Sequence, residues 1–154
     1  MPRFVLSRRS SALMSILLGC SFFVTSLATA PPAHATTTSE YKMAHYVNNS
    51  RDSRGFAKLR VSGALSDLAR KHSKQMAAAG SIFHTKDLGY TLRSYSWSVA
   101  GENVGRGGSL WDIHVAMMNS DGHRANILYR GFKKIGVGVV WSGGRVYVTE
   151  MFMG

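Results

Sequence analysis

The fold is decided near the end of the chain, where residues 135–152 read IGVGVVWSGGRVYVTEMF. Valine and isoleucine alternate with glycine in the first part, and a second apolar alternation runs from Val146 to Phe152. Residues 141–144 (WSGG) separate the two runs, and glycine at such a position is typical of a tight turn. The sequence therefore predicts an antiparallel β-hairpin.

Helices are predicted upstream of this hairpin. The clearest one begins after Ser62, a suitable N-cap, and ends at Gly80, because its apolar residues recur on one helical stripe. They are Leu65, Leu68, Ala69, His72, Met76 and Ala79. A second helix is expected to begin at Ser109, which forms an acidic variant of the capping box with Asp112, and to break at residues 121–122.

The order of these elements indicates the fold class. Helices that precede a hairpin, without a regular alternation of strands and helices, are typical of an α+β protein with helices packed on a small antiparallel sheet. Residues 81–108 show no sustained period. Because so long a segment in a small domain is usually functional, we expect site residues there.

The N-terminus has the layout of a secretory signal. Three arginines precede an apolar run over residues 12–24, and small residues then end in Ala33-His34-Ala35. The run is too short for a comfortable membrane span, which needs about 20 apolar residues. We expect a signal peptide at 1–35, a polar lead-in at 36–39 and one domain at 40–154, with no transmembrane segment in the mature protein.

One alternative stays open for the N-terminus. Residues 17–20 (LLGC) resemble a lipoprotein box, which would leave Cys20 lipidated at a membrane surface. The apolar run continues past Cys20, however, and the small-residue cleavage site follows it. We therefore favour plain secretion, to the extracellular space or the cell envelope.

The mature part is strongly basic. Three of the 19 Lys and Arg residues lie in the signal and none of the 8 acids does, which leaves 16 basic against 8 acidic residues and a net charge of +8. Such a charge attracts polyanions such as cell-wall polymers or anionic lipid. No nucleic-acid-binding module is recognisable, so we expect no nucleic-acid partner. Since Cys20 is the only cysteine, a disulfide scaffold is excluded.

Five local patterns combine into a family resemblance. They are Phe83-His84, GENVG at 101–105, SDGHRANIL at 120–128, IGVG at 135–138 and YVTEMF at 147–152. In this order and spacing they resemble the bacterial branch of the CAP superfamily, which comprises cysteine-rich secretory proteins, antigen 5 and pathogenesis-related-one proteins. The match extends from Tyr46 to Phe152 and implies an α-β-α sandwich with a central cleft.

The resemblance also implies which residues lie in that cleft. Carried over position by position, its two histidines are His84 and His123, and its first acid is Glu102. The family's second acid falls near Ser120, which is not acidic, so the full set of two histidines and two acids is incomplete. His84, Glu102, Ser120 and His123 are therefore the expected cleft residues.

A divalent metal such as Zn²⁺ is one expected occupant of this cleft. Neutral imidazoles that converge are good ligands for such an ion, and Glu102 would complete or orient the set with His84 and His123. The HExxH motif of zinc proteases is not present. The other histidines of the mature part are expected to be structural: His45, His72 and His114.

Four further residues are expected to support the cleft: Asn103, Arg124, Asn126 and Glu150. Arg124 and Asn126 are interpreted as a cap and brace for the turn around His123, with Arg124 able to hold a carboxylate in bidentate fashion. Glu150 stands where bacterial relatives commonly carry glutamine, and the alternation places it on an apolar strand face. A carboxylate there must be paired, hydrogen-bonded or protonated. We favour a structural ion pair with a basic group; the alternative is that Glu150 partly replaces the missing acid.

Three functions stay open at this point. The first is a binding module for lipid, sterol or an anionic wall polymer. The second is a metal-assisted hydrolase, in which an ion on His84 and His123 activates water and Glu102 acts as the base. The third is a structural envelope protein with a vestigial cleft. A hydrolase built on Ser120 and His123 is disfavoured, because the sequence lacks a GxSxG elbow.

Overall fold

The computed structural model describes residues 36–154. The predicted signal peptide and the Cys20 alternative lie outside the described residues. Residues 36–154 form, in order, α1 (Thr38–Asp52), β1 (Arg60–Val61), α2 (Gly63–Ala79), α3 (Leu88–Thr91), β2 (Ala100–Gly107), α4 (Leu110–Asn119), α5 (Asp121–Leu128), β3 (Lys134–Ser142) and β4 (Arg145–Met153). Within this part of the chain, no helix has the length and apolar character needed to span a bilayer.

The ends of the two predicted helices follow from local capping. At the start of α2, the Ser62 side chain accepts a hydrogen bond from the backbone N–H of Leu65. Gly80 ends the same helix in the left-handed region, with φ of 64°. At the start of α4, the Ser109 side chain accepts from the N–H of Asp112. Both predicted helix starts, and the glycine stop, are confirmed.

Helix α1 begins inside the expected polar lead-in. Thr37 is its N-cap and forms a reciprocal capping box with Glu40. Glu40 is fully buried, and its carboxylate accepts two hydrogen bonds of 2.7 Å from Arg70 of α2. The end of the lead-in is therefore structured, and a bidentate ion pair joins α1 to α2.

Within residues 36–154, four strands form one sheet in the order β1-β3-β4-β2. The predicted hairpin is confirmed, because β3 and β4 pair antiparallel around Gly143 and Gly144. These two glycines have φ of 55° and 70°, as a tight two-residue hairpin turn requires. Strand β2 pairs antiparallel with the other edge of β4.

The expected antiparallel pairing holds for β2, β3 and β4, but not for the edge formed by β1. Strand β1 pairs parallel with β3, through Arg60 opposite Lys134 and Val61 opposite Ile135, so the sheet is mixed. A strand of two residues has no alternation that a sequence pattern could reveal. Strand β2 was also not predicted, because three of its eight residues are glycine and interrupt the apolar period.

Helices cover both faces of the sheet. One face is covered by α1, α4 and α5, whose core residues include Met43, Ile113 and Ile127, packed with Val137 and Val148 of the sheet. On the other face, α2 lies directly against β3. A Cβ added at Gly138 would lie 2.2 Å from the backbone carbonyl carbon of Ala69, so only glycine permits this approach. The expected α-β-α sandwich is confirmed.

The expected break at residues 121–122 is only partly correct. Helix α4 ends at Asn119 and α5 begins at Asp121, so the chain changes direction at Ser120 and residues 121–122 lie in the first turn of a new helix. A carboxylate such as that of Asp121 is favourable at a helix N-terminus. His123 therefore lies on a helix rather than in a turn.

Candidate functional site

The site is built around strand β2, which is an edge strand of the sheet. Successive residues of a strand point to opposite faces. Glu102 lies opposite Met151 of β4, and Asn103 lies opposite Glu150. Strand β2 therefore places the Glu102 carboxylate on the sheet face covered by α2 and the Asn103 amide on the face covered by α5.

Glu102 orients the imidazole of His84. Its carboxylate, which is largely buried, accepts from His84 Nδ1 at 2.9 Å and from the backbone N–H of Thr85 at 2.8 Å. The Thr85 hydroxyl donates to the other carboxylate oxygen. Because an ionised carboxylate only accepts, Nδ1 of His84 carries the proton and Nε2 keeps its lone pair. The His84 side chain is 63% exposed, so this lone pair belongs to an accessible ring.

His123 is held from the first turn of α5. Its Nδ1 lies 2.9 Å from the Ser120 hydroxyl at the corner between α4 and α5. Burial, together with the nearby charge of His84, lowers the pKa of the His123 imidazole below its ordinary value. His123 is therefore neutral over a wider pH range than a free histidine.

The two histidines line one cavity of about 300 Å³. Its lining residues are His84, Glu102, Asn103, Ser120, Gly122, His123 and Asn126. All four expected cleft residues are thus brought together, with two of the four expected supporting residues. Arg124 and Glu150 do not line this cavity.

Two asparagines join β2 to α5 below the cavity. Asn103 is fully buried, and its Nδ2 donates to the backbone oxygen of His123 at 3.2 Å and to Glu150 Oε2 at 3.0 Å. Its Oδ1 accepts from Asn126 Nδ2 at 3.0 Å, and Asn126 also donates to the backbone oxygen of Glu102. The backbones that carry Glu102 and His123 are therefore fixed relative to each other.

The expected ion pair of Glu150 with a basic group is wrong. Glu150 is fully buried, and its partner is the neutral amide of Asn103. Burial raises the pKa of Glu150 to about 7, against the opposing effect of the Asn103 hydrogen bond. Its Oε1 has no hydrogen-bond partner among the described residues. Glu150 supports the site from beneath, through Asn103.

Arg124 braces the corner between α4 and α5. One amino group donates to the Asp121 carboxylate and the other to the backbone oxygen of Met118 at 3.0 Å. The expected role as a brace is present, but the bidentate grip on a carboxylate is not, since each amino group has a different partner.

The three proposed metal ligands do not form a three-ligand group. Among residues 36–154, no group of three or more His, Cys, Asp and Glu side chains is arranged to hold a metal ion. The Glu102 carboxylate accepts one hydrogen bond from His84 and two from Thr85. The imidazoles of His84 and His123 are each hydrogen-bonded at Nδ1 and keep Nε2 for a ligand.

Two residues that hold His84 were not assigned this role from the sequence. Thr85 gives both of its donors to Glu102. His72 lies within 2.8 Å of the backbone oxygen of Phe83 through its Nε2, and the two rings meet edge to face. The expectation that His72 is structural agrees with this contact. Its place on the core-facing stripe of α2 is the only sequence signal for it.

Comparison with known proteins agrees with this architecture. The model of the cysteine-rich secretory protein family (CAP) matches residues 44–152. The uncharacterized protein YkwD of Bacillus subtilis (strain 168) is 33% identical over 141 residues, which cover 82% of this chain and 54% of YkwD. An extracellular protein containing a SCP domain from Bacillus anthracis str. Ames has a structure with a TM-score of 0.63 and 25% identity, covering 75% of this chain and 40% of that one.

A further structure resembles the chain in fold alone. NaASP2, solved with Zn²⁺, has a TM-score of 0.61 at 12% identity, covering 80% of this chain and 83% of its own. The chain spans about half the length of the curated relative it matches. Because the family model covers more than half of this sequence, the chain belongs to the cysteine-rich secretory protein (CAP) family.

Proposed function

We propose that this protein is exported and binds a ligand in the cleft around His84 and His123, outside the cell or at the cell envelope. The observation that carries the proposal is the cavity of about 300 Å³ lined by both imidazoles. Apart from Gly122, every residue of its lining has a polar side chain. Polar groups that are already held by hydrogen bonds lose little entropy when a ligand binds.

An anionic wall polymer suits this lining better than a lipid or a sterol. Imidazole, hydroxyl and amide groups supply hydrogen bonds to sugar hydroxyls and phosphates. An apolar ligand body would leave the same groups unpaired. The net charge of +8 over residues 36–154 also attracts a polyanion. Lipid and sterol are the alternatives that the binding test separates.

Binding accounts for these side chains better than hydrolysis does. The contact between Ser120 and His123 resembles a nucleophile with its base, but Ser120 occupies the same nitrogen that a triad carboxylate would orient. Glu102 accepts three hydrogen bonds and is a poor candidate for the general base of a metal-assisted reaction.

A divalent metal ion is the second candidate occupant. His84 and His123 would hold it, and the ion would supply Lewis-acid activation of a bound water. The hydrogen bonds at Nδ1 of each ring support this candidate, because they leave Nε2 for a ligand. NaASP2 was solved with Zn²⁺, and it shares the fold. Two imidazoles without a thiolate make a modest site.

Export is supported by the N-terminal pattern and by the extracellular relative from Bacillus anthracis. We expect the native product to begin at Thr36 and to carry no lipid. The intact mass of the protein from its own cells tests this. A product that begins at Cys20 with added acyl mass would overturn plain secretion in favour of a lipoprotein.

Cosedimentation tests the binding function. The purified protein is mixed with isolated bacterial cell walls and, separately, with phosphatidylglycerol vesicles. We expect pelleting with walls, and loss of most of it in a His84→Ala, His123→Ala double variant. The matched control is Lys71→Gln with Lys74→Gln, which removes two exposed charges of α2 from residues that do not line the histidine cavity. Pelleting with vesicles alone would favour a lipid ligand, and pelleting with neither would favour the structural role.

A further inference from the structure

Strand β2 has one edge bonded to β4, and its other edge has no neighbouring strand among residues 36–154. The two-residue turn at residues 143–144 makes Ser142 and Arg145 a hydrogen-bonded pair. Along β4, the backbone groups of odd-numbered residues therefore hydrogen-bond to β3. Those of even-numbered residues hydrogen-bond to β2. The bond from Gly154 N to Val99 O, at 2.9 Å, continues the same alternation.

This alternation fixes which backbone groups of β2 point away from the sheet. Residues 101, 103, 105 and 107 pair with even-numbered residues of β4, so they use their N–H and C=O groups inside the sheet. The free edge therefore carries the backbone N–H and C=O groups of Glu102, Val104 and Arg106. The hydrogen bond from Asn126 Nδ2 to the backbone oxygen of Glu102 arrives from that side and agrees with the assignment.

At Val104 and Arg106 the outward backbone groups have no partner within residues 36–154. Val104 as a whole residue is 6% exposed, whereas Arg106 is exposed, so the edge opens to solvent at its Arg106 end. Backbone groups that are both buried and unpaired are rare in folded proteins. Their spacing, about 7 Å between alternate residues of a strand, matches another extended chain.

An apolar cavity of about 220 Å³ opens at the same part of the edge. Its lining includes Ile82, Val104, Arg106, Ile113, Met117 and His123. Ile82, which is half exposed, lies in the segment after α2, and Ile113 and Met117 lie on α4. The cavity therefore combines a free strand edge with a pocket for one apolar side chain.

We propose that the free edge of β2 from Val104 to Arg106 binds an extended acidic peptide as an added strand, with one apolar side chain of the peptide in the adjoining cavity. A peptide supplies backbone donors and acceptors at the spacing of the strand. An acyl chain or a sterol has no such groups and would leave the edge unpaired. The cationic side chain of Arg106 in the cavity wall, on a domain of net charge +8, favours acidic flanking residues.

This proposal goes beyond ligand binding at the histidine cleft. It depends on the strand edge and the apolar cavity, and it needs neither imidazole to bind a ligand. The two cavities adjoin, since Ser120 and His123 line both. Peptide binding at the edge can nevertheless be distinguished from ligand binding at the cleft. The cleft test alters His84 and His123, whereas the edge test alters the peptide backbone and Arg106.

The probe is a synthetic heptapeptide of alternating valine and glutamate, acetylated and amidated at its ends. It is titrated into ¹⁵N-labelled protein produced from the full 154-residue chain. We expect saturable shifts centred on residues 104–106, and slower hydrogen exchange of the Val104 and Arg106 amides. The matched probe is the same peptide with N-methyl groups on alternate residues, prepared in both registers. In one register it should bind at least about tenfold more weakly, because it loses several backbone hydrogen bonds.

A pair of protein variants isolates the backbone group. Arg106→Pro and Arg106→Ala both remove the guanidinium, but only proline also removes the outward N–H, which an edge strand tolerates. We expect Arg106→Pro to bind the peptide about 3- to 10-fold more weakly than Arg106→Ala, as the loss of one hydrogen bond implies. The N-methylated peptides on the unaltered protein give the same test if the proline variant does not fold.

Three results would overturn the proposal. The first is equal binding of the parent and both N-methylated peptides, and the second is an absence of shifts at residues 104–106 at millimolar peptide. The third is protection of the same amides that rises with protein concentration when no peptide is added. That result would assign the edge to a second copy of this chain.

Discussion

Asn103 and Glu150 lie opposite each other on β2 and β4, and the Asn103 amide donates to Glu150 Oε2 at 3.0 Å. The same amide group donates to the backbone oxygen of His123. The fully buried carboxyl group of Glu150 is thus linked through the Asn103 side chain to the backbone of the cleft residue His123. Ionisation of Glu150 is therefore expected to change the stability of the fold and, through Asn103, the position of α5.

Replacement of Glu150 by glutamine should remove a pH dependence of stability. Burial raises the pKa of Glu150 to about 7 in the folded protein, from its ordinary value of 4.5. Its contribution to stability is therefore present below about pH 4.5 and is lost as pH rises through about 7. The free energy of unfolding of Glu150→Gln, relative to the unaltered protein, should rise by up to about 3 kcal/mol between pH 5 and pH 8. Urea denaturation at several pH values measures this difference.

The comparison between the two proteins isolates Glu150 from the histidines. The lowered pKa values of His114 and His123 act in the opposite direction, since their contribution is lost as pH falls. They are present in both proteins, so they cancel in the difference. If the free energy of unfolding varies with pH in the same way in Glu150→Gln and in the unaltered protein, the burial of Glu150 without a charged partner does not raise its pKa.

In the Glu102→Ala variant, the His84 imidazole should no longer be held in a single tautomer. In the unaltered protein Nδ1 carries the proton, because it donates to Glu102 at 2.9 Å. We expect ¹⁵N–¹H spectra of the imidazoles to show a mixture of tautomers at His84 in the variant. The free energy of unfolding should also fall by about 1–3 kcal/mol, as the donors of Thr85 lose their acceptor. His45, which contacts Asn49, is the internal control, and an unchanged His84 tautomer would refute the orienting role.

Two glycine substitutions should have opposite effects on thermal stability. Gly138→Ala should destabilise the fold by about 3 kcal/mol or prevent folding, because the added Cβ would lie 2.2 Å from backbone atoms of Ala69 and Arg70. Gly122→Ala is the control: it lies in α5 and has nothing within 4 Å of its added Cβ. Alanine there should stabilise by about 0.5–1 kcal/mol. Equal melting temperatures for both variants would contradict the close packing of α2 on β3.

Zinc binding should be weak and should depend on both cleft histidines. Calorimetry is performed on the unaltered protein and on His84→Ala, His123→Ala and His45→Ala, the last as the control. Affinity should fall as pH is lowered, because a protonated imidazole does not ligate, and burial moves the protonation of His123 below its ordinary pKa. Equal zinc binding by all four proteins would remove the metal from the list of cleft occupants.

Local signals allowed much of the fold to be predicted from the sequence. The hairpin and the helix caps depend on residues close together in the chain, such as Ser62 with Leu65 and the glycine pair at 143–144. Strand β1 was missed because two residues show no period, and β2 because of its glycines. The boundary between α4 and α5 was missed because Asp-Gly is typical both of a turn and of a first helical turn.

The residues of the site were predicted less evenly. The resemblance assigned His84, Glu102 and His123, and all three line one cavity. The partner of Glu150 was predicted wrongly, because alternation indicates which face a residue occupies but not which side chain lies opposite. Asn103 supplies that contact only after β2 and β4 pair. The sequence did not show that Thr85 donates twice to Glu102, because this contact depends on how the segment after α2 lies against β2.

His84 and His123 are proposed to bind one ligand in a shared cavity. The most direct measurement is a titration of ¹⁵N-labelled protein with solubilised anionic wall polymer, in which the imidazole resonances are followed individually. We expect the His84 and His123 resonances to shift along one saturation curve while those of His45, outside the cavity, stay unchanged. If all histidines shift alike and the shifts vanish in about 0.5 M salt, the binding is diffuse electrostatic attraction and the claim is contradicted.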